Sequence, residues 1–167
     1  MQRYLIALGS NRPHPRAGAP RAVLAAALGA LDRAGLAVAA AAPVALSRPL
    51  GPSQRTYANA AALVDTAADP PELLAALQRI ERAFGRIRRG RRWGARVLDL
   101  DIVLWSGGRW SEPGLTVPHP HFRARTFVLG PARSIAGAWR DPLTGLTLRQ
   151  LHARLTRPRP LPKSPQR

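Results

Sequence analysis

Two periodicities run along the chain and divide it into elements. Arg3–Leu8 is a short apolar run containing Tyr4 and Ile6 and ending in the turn signal Gly9-Ser10-Asn11, which predicts a first strand. After a Pro/Gly-rich loop over 12–20, Val23, Leu24, Leu28 and Leu31 fall at helical spacing and predict a helix over Ala22–Ala34, closed by Gly35. Leu36–Leu46 is expected as a second strand and Tyr57–Asp65 as a third, with the loop SRPLGPSQRT between them. Asp69-Pro70-Pro71-Glu72 is a helix start: an Asp cap, proline in the first turn, then an acid. Leu73, Leu74, Leu77, Ile80 and Phe84 then mark one apolar face up to Gly85. Val97–Trp105 predicts a fourth strand, turning at Ser106–Gly108, and His121–Ala132 and Thr147–Leu155 are expected to be helical. The order β-α-β-β-α-β predicts an α+β, ferredoxin-like core, an antiparallel sheet with helices on one face plus C-terminal helical additions.

Composition narrows this little. A chain of 167 residues suits a single domain, expected over 1–156, with a basic, proline-rich tail over 157–167 expected to be disordered. The absence of cysteine excludes thiolate metal sites and cysteine nucleophiles. No apolar stretch reaches the length of a membrane span, so a cytoplasmic protein without membrane partners is expected. The charge of +17, from 26 basic and nine acidic residues, favours polyanionic partners. Lys163 is the only lysine amid a general excess of Ala, Arg, Gly and Pro, so clustering of charge says more than its total.

The acids Asp99 and Asp101 change the picture. Residues two apart in a strand share a face. Leu98, Leu100, Ile102 and Leu104 form the expected helix-covered face, and Val97, Asp99, Asp101 and Val103 the opposite one. Two adjacent carboxylates repel unless a cation neutralises them. Mg²⁺ suits: it takes few carboxylate oxygens and completes its shell with water and phosphates, commonly as two ions in phosphate chemistry. An isolated D-x-D is more often a pair of solvated acids. Seven arginines between Arg82 and Arg96, broken by Gly85, Gly90 and Gly94, alter that weighting, because guanidinium groups and metal want the same polyphosphate. No P-loop or protein-kinase signature is present.

Other polar residues are read two ways. Gln78 and Glu81 share a helix face and alone read as a solvated pair. His119, in TVPHP, could donate to a phosphate or be structural. Tyr57 and Phe127 suit the core or a flat heterocycle whose edge Asn59 reads, and Trp93 suits a lid or a stacking role.

Together GSN at 9–11, PLGP at 49–52, YANA at 57–60, QRIE at 78–81, GRIR at 85–88, RWGARVLDLDI at 92–102, TVPHP at 116–120 and R-T-FVLGP at 125–131 resemble the 6-hydroxymethyl-7,8-dihydropterin pyrophosphokinase family of folate biosynthesis, in order, across about 125 residues. The resemblance implies the ferredoxin-like fold and transfer of the β,γ-pyrophosphoryl group of ATP to the pterin hydroxymethyl oxygen, releasing AMP. It implies two Mg²⁺ ions on Asp99 and Asp101, with Asp101 close to the attacking hydroxyl. Tyr57 and Phe127 would sandwich the pterin and Asn59 read its edge, helped by Ser47 and the Leu50 backbone, with Trp93 as the gating aromatic of a closing loop over the pterin. Gln78, Glu81, Arg88, Trp93, Ile102, Thr116, His119 and Arg125 would contact ATP. Arg86 and Arg96, with Asp101, would be catalytic. Gly114 stands where some members carry an arginine, Ala95 replaces a common proline, and Ser47 a frequent threonine. A monomer taking ATP and the pterin, with no nucleic acid, is expected. The rival expectation is a basic nucleic-acid-binding module on the same fold, with a pterin-binding relative that has lost catalysis as a third.

Overall fold

The structure, a computed structural model, describes residues 1–47, 56–85 and 96–158. Its main sheet contains β1 (Gln2–Ser10), β2 (Ala37–Ala41), β3 (Ala45–Ser47), β4 (Tyr57–Thr66) and β5 (Asp99–Trp105). The order is β2-β4-β1-β5, with β3 also on β4 and every pairing antiparallel. Helix α1 (Pro20–Arg33) follows β1 and α2 (Pro70–Ala83) follows β4, giving the ferredoxin-like core expected. Asp69 caps α2 as its sequence foretells: its side chain accepts from the Glu72 N–H, while Glu72 accepts from the Asp69 N–H, each at 2.9 Å.

The alternation of β1 and β4 sorts the core into two layers. Tyr4, Ile6, Leu8, Ala58, Ala60, Ala62 and Val64 pack against Val23, Leu24 and Leu31 of α1 and Leu73, Leu77 and Ile80 of α2. On the other face, Leu5, Ala61 and Leu63 meet α3 (Thr126–Ala136) and α4 (Leu148–Thr156) through Val128, Leu129, Leu148 and Leu151. The C-terminal helices therefore cover part of the face that α1 and α2 leave bare.

Several expectations are corrected. The single strand over Leu36–Leu46 is two strands separated at 42–44, where Pro43 has no N–H to give the ladder. β5 starts at Asp99, not at Val97, and Val97 packs against the α1–α2 layer. Leu104 is not on that layer either. The register on β1 shifts between Leu5, opposite Leu104, and Ile6, opposite Ile102, so Val103 is an extra residue and both Val103 and Leu104 join the α3–α4 layer. The helix expected over His121–Ala132 is a 3-10 turn at Phe122–Ala124 followed by α3. A small hairpin, β6 (Trp110–Glu112) with β7 (Leu115–Val117), has no counterpart in the sequence-based expectation. Gly114 turns it with φ +85°, a backbone that an arginine would strain. Most of the tail, 159–167, lies outside the described residues.

Candidate active site

One transverse row of the sheet organises the site. Asp99 of β5 stands opposite Gly9 of β1, Gly9 opposite Asn59 of β4, and Asn59 opposite Ala45 of β3. Asp101 lies one step along the same face, opposite Ala7. Directly paired residues share a face, so both carboxylates lie on the face opposite α1 and α2, with Asp99 in one row with Asn59. A Cβ on Gly9 would come within 3.7 Å of Asn59 Oδ1, so glycine keeps the floor between carboxylate and amide low. The face expected for the acids is the face found. Of the arginine-rich stretch, 86–95, and with it Arg86, Arg88 and Trp93, lies outside the described residues, as does Leu50.

Arg96 sits next to Asp99, with Nη1 2.8 Å from Oδ2 in a half-exposed ion pair. Asn11, only 5% exposed, holds it there. Its Oδ1 accepts from the Arg96 N–H at 2.7 Å and its N–H donates to the Arg96 carbonyl at 3.1 Å. Asn11 carries no role in the sequence reading, and the GSN turn is the signal that could have suggested one. Glu81 departs from the solvated pair as well. It is buried at 3% exposure and its Oε1 accepts from the Leu100 N–H at 2.8 Å, between the two aspartates. Gln78 is half-buried on the same helix. Ile102 points into the α1–α2 core.

The segment after β7 joins the site along β5. His119 is half-buried, and its N–H donates to the Val103 carbonyl at 3.0 Å, tying it to the bulge of β5. Burial, then the charges of Arg125 and His121, push its pKa down to about 4, with Asp99 pulling the other way. The ring is therefore neutral at physiological pH. Its Nδ1 accepts from the His121 N–H at 3.1 Å, which leaves the proton on Nε2 as a donor. Arg125 immediately precedes α3, with its guanidinium 5.7 Å from the Phe127 ring centroid. Thr116 is exposed on β7. Tyr57 and Phe127 are half-buried, Tyr57 on the Asn59 face of β4 and Phe127 on the helix that covers that face. Asn59, 5% exposed, donates from Nδ2 to Ser47 Oγ at 2.9 Å.

Among the described residues, no group of three or more His, Cys, Asp or Glu could hold a metal by itself. Two neighbouring carboxylates fit Mg²⁺ nonetheless, because that ion keeps water and phosphate in most of its shell.

The sequence profile described as 7,8-dihydro-6-hydroxymethylpterin-pyrophosphokinase (HPPK) matches residues 5–137, a span that contains the whole of this row. The chain belongs to the HPPK family. The 2-amino-4-hydroxy-6-hydroxymethyldihydropteridine pyrophosphokinase of Pseudomonas aeruginosa is 43% identical over 144 residues, 85% of each chain. The protein of the same name from Synechocystis sp. is 44% identical over 105 residues, 63% of this chain and 53% of that relative, so the match spans about half of its length. The solved HPPK-DHPS of Plasmodium falciparum superimposes with a TM-score of 0.64 at 11% identity, over 92% of this chain and 42% of the other, a likeness of fold alone.

Proposed function

We propose that this chain transfers the β,γ-pyrophosphoryl group of ATP to the hydroxymethyl oxygen of 6-hydroxymethyl-7,8-dihydropterin, giving the pterin diphosphate and AMP. The observation that carries the reading is the Asp99–Gly9–Asn59 row, which sets a carboxylate pair beside a buried amide. Carboxylates suit metal-bound phosphate, and the amide suits the hydrogen-bonding edge of a flat heterocycle.

In this reading Asp99 and Asp101 hold Mg²⁺, two ions as the family resemblance implies. When bound, that metal neutralises phosphate charge and polarises the phosphoryl group. Arg96, held by Asn11, trades its contact with Asp99 for a phosphate oxygen. His119 donates from Nε2 and Arg125 adds a fixed charge on the other side. Tyr57 and Phe127 stack on the pterin, Asn59 reads its edge and Ser47 orients the amide. The hydroxymethyl oxygen then forms a bond to the β-phosphorus as the α,β-bridging oxygen leaves with AMP. Asp101 is this chain's own acceptor for the hydroxyl proton. Gln78 and Thr116 are assigned to ATP, Glu81 to the support of β5, and Ile102 can serve only through its backbone. Arg86 and Arg88 as phosphate ligands, and Trp93 and Leu50 around the pterin, complete the set. A cytoplasmic monomer without a nucleic-acid partner belongs to the same reading. Among the described residues no helix is long and apolar enough to cross a membrane.

Product analysis tests the reaction. With Mg²⁺, ATP and the hydroxymethyl pterin, AMP and pterin diphosphate should form in equal amounts. Formation of ADP and a pterin monophosphate, or of no product, would overturn it.

A further inference from the structure

The 3-10 turn Phe122–Ala124 lies between His119 and Arg125, and is fixed from outside the site. Arg123 projects from it to Asp141, in the connection between α3 and α4. Nε lies 2.7 Å from Oδ2 and Nη2 2.6 Å from Oδ1, a two-pronged contact. Asp141 has no exposed surface. Its carboxylate also accepts from Thr144 Oγ1 at 2.7 Å and from the Leu143 N–H at 3.1 Å, while its own N–H donates to the Leu146 carbonyl at 2.9 Å. The guanidinium of Arg123 in turn lies 4.6 Å over the ring of Phe122, which is fully buried in the α3–α4 layer.

A buried ion pair is a poor source of net stability, because desolvating both charges offsets their attraction. What it supplies is a fixed geometry, since a planar fork against a saturated carboxylate has one arrangement. Here the fixed object is a turn of three residues, with a nucleotide-side residue on either flank. Beyond it the Arg125 carbonyl accepts from the Val128 and Leu129 N–H groups, the ordinary opening bonds of α3.

We propose that Asp141 is a positioning residue for ATP: through Arg123 it fixes the turn that sets His119 and Arg125 against the phosphates. The proposal rests on the assignment of those two residues to ATP. Phe127 is secured separately, because α3 is anchored by Val128, Leu129 and Ala132.

Asp141→Asn keeps the shape but turns an N–H₂ towards the guanidinium. Equilibrium titrations with a non-hydrolysable ATP analogue plus Mg²⁺, and separately with the hydroxymethyl pterin, read the result. ATP affinity should fall about tenfold, the equivalent of about 1.4 kcal/mol of lost binding. Pterin affinity should move less than about twofold. A merely structural role would lower the melting temperature and leave both affinities of the folded protein intact, which would overturn the proposal. So would equal losses for both ligands. If Asp141→Asn does not fold, Thr144→Ala removes one bond through an exposed side chain, and the same split should appear at about two- to threefold; its absence overturns the proposal. Wild-type protein that binds no ATP analogue would sink the functional reading itself, whereas intact wild-type binding with an unchanged variant would sink the positioning role alone.

Discussion

At the scale of single residues, each site group is prepared by a neighbour. His119 is kept neutral by burial and by the cations beside it, and its tautomer is fixed by the His121 N–H. In this tautomer the neutral ring still offers phosphate its Nε2–H at pH 7. Ring NMR should show His119 unprotonated at pH 5.5, with a midpoint near about 4. A midpoint near the ordinary histidine value would contradict the burial argument. His119→Ala removes one preorganised donor and should lower turnover by about a hundredfold, within the range seen for such losses. Asn11→Ala strips the acceptor from the Arg96 N–H. It should cost about 1–3 kcal/mol in denaturant unfolding and lower turnover as well. Unchanged kinetics at wild-type stability would remove Asn11 from the account.

The elements explain why some of this is legible in the sequence and some is not. β1, β4 and α2 follow from their periodicities because each has one face committed to the α1–α2 core. The shared face of Asp99 and Asp101 is legible because both precede the irregularity in β5. The bulge at Val103 has no local signature: it reflects pairing with β1, and it carries Leu104 to the opposite layer. β6 and β7 are three residues each, too short for a period to register. Glu81 looks like a solvated helix acid because its partner, the Leu100 N–H, is 19 residues away. Asp141 carries no role in the sequence reading, because its partner Arg123 is 18 residues away. Glu81→Leu should therefore destabilise the fold by about 1–3 kcal/mol, through an unpaired buried N–H at the centre of the carboxylate strand. Chemical unfolding is the check, and a variant as stable as wild type would deny Glu81 its role in holding β5.

For the whole molecule, acid sensitivity follows from two groups of opposite kind. His119 has a folded pKa below its unfolded value of 6.5, so between about pH 6.5 and 4 the unfolded chain takes up a proton that the folded chain refuses. Stability falls as pH falls through that window. Burial pushes the Asp141 carboxyl up, but bonds from Arg123, Thr144 and the Leu143 N–H outweigh it and bring the pKa down to about 2. That contribution is complete above the ordinary carboxylate range and is lost only as pH falls towards about 2. Urea midpoints should thus decline from pH 7 to 4.5, and His119→Gln should flatten the decline. An equally steep decline in that variant would place the acid-sensitive group elsewhere.

At this scale the charge of +17 also finds a use beyond general attraction, because part of it faces a carboxylate pair that suits metal-bound phosphate. The most direct test compares turnover of wild type, Asp99→Asn and Asp101→Asn, measured as AMP release at saturating ATP, Mg²⁺ and hydroxymethyl pterin. Each substitution keeps the strand and removes one charge. Both variants should remain folded and lose on the order of a hundredfold or more in turnover, the equivalent of several kcal/mol of lost charge stabilisation. Turnover within about twofold of wild type in either variant would contradict the claim that this carboxylate pair carries the reaction.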